Sequence, residues 1–102
     1  MKNERICGDH TANENDIFCG RVEGNLTVKS GVKLINLGRV FGDVKIEDGA
    51  TLENRGRIHG DIYGHGFADV FGIVEGKVLT DHYCIHKDSI VDGTKYEQDE
   101  KR

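Results

Sequence analysis

The densest potential for chemistry in the chain lies in five consecutive residues, His82-Tyr83-Cys84-Ile85-His86. In a β-strand side chains alternate between faces, so His82, Cys84 and His86 project to one side and Tyr83 and Ile85 to the other. Two imidazoles and a thiolate are ligands for zinc or another borderline-soft metal. On a flat strand, however, residues two apart stand about 7 Å from each other, wider than the ligands of one ion, so a bend or a ligand from elsewhere is required. On this reading no metal and no cofactor is assigned, and His82, Cys84 and His86 are kept as candidate ligands. No Ser/His/Asp arrangement has a recognisable local context, and no pair of carboxylates stands out from the general acidity. A glycine-rich phosphate loop needs a helix to follow it, and no segment has convincing 3.6-residue periodicity. Enzymatic function is not expected.

The elements that position these side chains are read from an internal repeat. The unit occurs as ERICGD at Glu4, GRVEGN at Gly20, GRVFGD at Gly38, GRIHGD at Gly56, GIVEGK at Gly72 and SIVDGT at Ser89, at intervals of 16, 18, 18, 16 and 17 residues. A helical pair needs more than about thirty residues, whereas one coil of a β-solenoid needs about this many. The third position is always aliphatic: Ile6, Val22, Val40, Ile58, Val74 and Val91. Stacking at about 4.8 Å makes these an interior column. A second column, Leu26, Val44, Ile62 and Val78, is interrupted at both ends by His10 and Lys95. Val32, Leu34, Ala50 and Leu52 supply a third wall, which shortens by two residues after Gly64. Gly8, Gly24, Gly42, Gly60, Gly76 and Gly93 mark one corner of every coil, where positive φ or close stacking excludes a Cβ. Asn36 and Asn54 align just before the next unit and are expected in a turn that tolerates left-handed geometry.

Composition narrows the function classes. A chain of 102 residues with 14 Gly, no Pro and a net charge of -4 is one domain without a basic surface, so no nucleic-acid partner is expected. No apolar run is long enough to span a bilayer and no signal-like N-terminus is present, which makes membrane contact unexpected and the cytoplasm the default compartment. Cys7, Cys19 and Cys84 have no CxxC spacing and read as reduced thiols.

The stretch GRVFGDVKIEDGATLENRGRIHGDIYG, followed by VFGIVEGKVLTDHYCIHKDSIVDG, resembles the bactofilins, a family of bacterial polymer-forming cytoskeletal proteins. Its G-x-V-x-G-D-V rhythm, aliphatic wall and D-H-x-x-I-H step cover residues 20–93. The resemblance implies an all-β fold, a single-stranded right-handed β-helix, here of about five to six coils of 16–18 residues. It also implies no nucleotide or metal cofactor, and end-to-end self-assembly. On this reading residues 1–19 form a partial or capping coil, 20–93 the repeat core and 94–102 a charged tail. The competing fold is a trimeric left-handed hexapeptide-repeat enzyme, favoured by aliphatic residues every six positions from Val22 to Ile58 and by His59 and His65 as candidate inter-subunit groups. Gly64 and the unequal intervals break that rhythm.

Self-association is expected from the open ends of any solenoid, whose unpaired edges recruit another chain unless blocked. The C-terminal end is dense in charge (Lys87, Asp88, Lys95, Glu97, Asp99, Glu100, Lys101, Arg102) and reads as a guard against stacking. The N-terminal segment offers Ile6, Ile17 and Phe18, and Phe41, Phe67 and Phe71 are further candidates for a partner surface. Arg5, Arg21, Arg39 and Arg57 form a ladder, with Asp9, Asn25, Asp43 and Asp61 expected to compensate it. Uncompensated, such a ladder suits phosphates and carboxylates, which gives the alternative of a discrete homo-oligomeric binding module for a small anion or peptide.

Overall fold

The computed structural model describes residues 4–102 and contains strands and turns but no helix among them. The repeat unit becomes the first of three sheets: β1 (Arg5–Ile6), β4 (Arg21–Val22), β7 (Arg39–Val40), β10 (Arg57–Ile58), β13 (Ile73–Val74), β15 (Ile90–Val91) and lastly β16 (Thr94–Lys95). The second holds β2 (His10–Ala12), β5 (Leu26–Val28), β8 (Val44–Ile46) and β11 (Ile62–Gly64). The third holds β3 (Asp16–Phe18), β6 (Lys33–Asn36), β9 (Thr51–Asn54), β12 (Phe67–Val70), β14 (His82–Ile85) and β17 (Glu100–Lys101). Each strand from β1 to β15 pairs in parallel with its counterpart one coil away, so the chain is a three-walled β-solenoid of about five turns.

The registers put like on like. Ile6, Val22, Val40, Ile58, Val74 and Val91 are successive partners. Val22, Val40, Ile58 and Val74 are fully buried, and each such side chain removed from water contributes about 1.5–3 kcal/mol. Leu26, Val44 and Ile62 stack likewise, and a single bridge from Ile62 to Val78 extends the column. Leu34, Leu52 and Ala68 form the third.

Coil length varies only at corners. Val28 to Lys33 and Ile46 to Thr51 are joined by four residues, but Gly64 to Phe67 by two, which is where the interval falls from 18 to 16. Two further residues enter after Ile85, around Asp88 at φ +75°. Strand pairing is untouched by either change.

Three expectations are corrected. Asn36 and Asn54 have no left-handed backbone; they end strands β6 and β9 with fully buried side chains. Gly38 N–H donates to Asn36 Oδ1 at 3.1 Å, Asn36 Nδ2 to Asn54 Oδ1 at 2.9 Å, and Asn54 Nδ2 to Ile73 O at 3.2 Å. They are a polar ladder inside the solenoid. Phe18 is not a surface residue: it points inward at only 2% exposure, because its register partner is Asn36, and its ring lies 6.3 Å from that of His10. Residues 94–102 are not a tail. The chain reverses at Gly93 (φ +77°), β16 pairs antiparallel with β15, β17 pairs antiparallel with β14, and Tyr96 packs against the core.

Candidate functional site

Three features bear on function: the two ends, a groove along one corner, and a cluster around Cys84. At the N-terminal end β1, β2 and β3 are each the outermost strand of a sheet, paired on one side only among the described residues. Ile17 is exposed beside this edge, Ile6 is half-buried against the core, and the coil encloses a small hollow of about 160 Å³ between His10, Ala12, Phe18 and Leu34. At the opposite end two of the three edges are closed by antiparallel strands. Burial pushes the Tyr96 phenol above its ordinary range, with Glu100 adding to the effect. This Tyr sat in a segment that reads as a tail; the signal that could have found it is Gly93 followed by an aromatic, a reversal with an anchor.

The groove runs between two columns. Arg5, Arg21, Arg39 and Arg57 stand in register on one wall, Leu37, Arg55 and Phe71 rise from the other, and Gly20, Gly38, Gly56 and Gly72 form the floor, enclosing about 900 Å³. The floor is glycine for a packing reason: at Gly38 a Cβ would stand 2.1 Å from the carbonyl oxygen of Gly20. The expected compensation by the acidic ladder does not occur. Asp9 Oδ1, Asn25 Oδ1, Asp43 Oδ1 and Asp61 Oδ1 each accept the backbone N–H of the equivalent residue one coil on, at Asn25, Asp43, Asp61 and Lys77, all at 2.8 Å. These side chains staple coil to coil. Arg5 pairs with Glu23 at 3.0 Å, while Arg21 and Arg39 sit 5.5 and 5.8 Å from the Phe41 ring centroid. Among the described residues Arg21, Arg39 and Arg57 make no ion pair. Phe41, 37% exposed, stacks on His59 at 4.8 Å, and His59 Nδ1 is held at 3.0 Å by Glu75.

Phe67 and Phe71 lie outside the core, each half-buried. Phe71 is the middle of a stack, with the Arg55 guanidinium 4.1 Å above its centroid and the His86 ring 3.8 Å below. The candidate ligand trio is split. His82 is exposed and pairs in register with Phe67, whereas Cys84 and His86 meet Asp69 of the preceding coil. His86 Nε2 lies 2.6 Å from Asp69 Oδ1, and Cys84 faces Asp69 directly in the β12–β14 register. Sequence spacing within one strand could not show this, because the third member comes from a neighbouring coil. Burial, seconded by Asp69, raises the Cys84 thiol above its usual value.

Among the described residues no helix is long and apolar enough to cross a membrane. Comparison with protein-family models, with curated proteins and with solved structures found no match to this chain.

Proposed function

We propose that the protein is a non-enzymatic scaffold of the cytoplasm that works by self-association, as the resemblance to bactofilins implies, and that the association runs through its N-terminal coil. The observation that carries this reading is the asymmetry of the ends among the described residues: three half-paired parallel edges at one, two antiparallel closures at the other. Exposed edge strands recruit another chain through main-chain hydrogen bonds, and identical edges meeting about a two-fold axis form a closed, self-complementary interface. The expected product is a head-to-head dimer, because the C-terminal end resists further stacking. Three free thiols suit a reducing compartment.

Sedimentation velocity over a wide concentration range, with negative-stain images of the same samples, tests this. A monomer–dimer equilibrium abolished by Thr11→Pro, which removes an edge donor from β2, supports it; a monomer at every concentration overturns it. Long polymers would retain self-association while removing the role assigned to the C-terminal closure.

A second reading is favoured by Arg21, Arg39 and Arg57, which make no ion pair among the described residues, over a glycine floor: a groove for a small polyanion. Stabilisation by a soluble oligocarboxylate, lost on Arg39→Gln and reduced by salt, would support it.

A further inference from the structure

The Asp69, Cys84 and His86 side chains form a cluster that the self-association reading leaves unused. We infer that these three residues bind one thiophilic divalent cation, zinc in its chemistry, bridging the last two full coils of the solenoid.

The donor set carries the inference first. A carboxylate, a thiolate and an imidazole are three zinc ligands of the kinds found in four-coordinate sites, and one ligand atom from each lies within 4.8 Å of the others. Bond lengths of about 2.0–2.3 Å place ligands of a tetrahedral ion roughly 3–4 Å apart, so the gap closes by side-chain rotation with the strands fixed. Asp69 and His86, at 23% and 27% side-chain exposure, have room for it. Their 2.6 Å contact already holds the imidazole and carboxylate toward each other. A fourth position is left facing solvent for water.

Placement argues the same way. Asp69 and Cys84 are direct register partners on β12 and β14, and His86 follows two residues after Cys84, so three ligands converge from two coils. The coil stacking that sets 4.8 Å between strands therefore brings together what one strand holds too far apart. Phe71 seals one face of the His86 ring at 3.8 Å and fixes its plane. Thiolate and carboxylate together neutralise the dication. A cysteine ligates as the thiolate, so as the ion binds the S–H bond breaks, the sulfur pair is donated to the metal and the proton leaves to solvent.

The test is cobalt(II) titration of the reduced full chain, in which a thiolate ligand gives a near-ultraviolet charge-transfer band. The decisive protein is the Cys7→Ala/Cys19→Ala double variant, since Cys7 is exposed, Cys19 is half-buried, and only Cys84 remains as a thiol. The expected result is a band saturating at one equivalent, displaced by zinc, with a raised melting temperature. Asp69→Asn and Cys84→Ser should each weaken cobalt binding by ten-fold or more while retaining the strand circular dichroism. Absence of the band in the double variant overturns the proposal, as does a band in that variant that Asp69→Asn leaves at full strength. Loss of fold in Cys84→Ser does not rescue it, because the double variant leaves the cluster intact.

Discussion

Asn36 and Asn54 occupy interior positions that neighbouring columns give to aliphatic residues, and they persist because each amide is hydrogen-bonded across coils. Replacing Asn54 by Leu leaves Asn36 Nδ2 without its 2.9 Å acceptor and removes the Asn54 Nδ2 bond to Ile73 O, at a cost of about 1–3 kcal/mol. The Asn36→Leu/Asn54→Leu double variant removes both partners at once and should cost less than the sum of the singles, as read from urea midpoints. A second prediction concerns His65 and Asp81, 2.7 Å apart on adjacent coils. The hydrogen bond to Asp81 raises His65 above its ordinary 6.5, and the same bond lowers Asp81 below 3.8. The raised imidazole contributes stability that is complete below pH 6.5 and lost as pH rises through its folded value; the depressed carboxylate contributes above pH 3.8 and is lost as pH falls through its own. Stability from this pair is therefore greatest between those limits. Both groups are mostly exposed, so the effect is small and weakened by salt. Lys45, Asp48, His82 and Arg102 lie close enough to modulate it. His65→Asn should flatten the alkaline fall and also the part of the acid fall that comes from Asp81, because the one bond sets both, as read from the pH profile of the unfolding midpoint.

Among the elements, the corners carry constraints different from those of the strands. At Gly42 a Cβ would stand 2.2 Å from Asn25 Oδ1 and 2.6 Å from Gly24 O, so Gly42→Ala displaces the staple to Asp43 N–H as well as the backbone. A loss of about 3 kcal/mol is expected. Gly31 has φ +79° and no neighbour within 4 Å, so Gly31→Ala costs only the left-handed strain, about 1 kcal/mol. Parallel denaturation curves of the two variants separate packing from conformation. This contrast also explains what the sequence disclosed. The columns through Val40 and Val44 were legible because burial on one face of a stacked coil imposes the same residue class at a fixed interval. The corner glycines were legible as corners, although at Gly42 the cause is close stacking and not positive φ. Asn36 and Asn54 were legible as aligned, but alignment does not distinguish a turn from an interior ladder. Asp43 and Asp61 misled for a related reason: a charge beside an arginine column looks like a counter-ion until its oxygen is found on a backbone N–H.

For the whole molecule, the decisive property is that its ends differ. Deleting residues 94–102 should uncover β14 and β15 and convert a limited oligomer into larger, concentration-dependent species, detectable by sedimentation. The charges of this segment read as a guard in the sequence, yet the guarding geometry did not, because a reversal onto the previous coil depends on Gly93 and on Tyr96 finding the core. Asp69 escaped for a similar reason, since it is distant along the chain from Cys84 and His86 and meets them only through coil register.

Regular coil stacking has a mechanical consequence. Each strand of the stack pairs with strands one coil away, so among the described residues no strand pairing bypasses a coil, and the stack can be dismantled in order. Pulled from its two termini, it should peel from the less secured N-terminal coil. Each event would free 16 to 18 residues, a contour gain of about 6 nm, giving a sawtooth of nearly even teeth that ends at the coil held by the reversed strand.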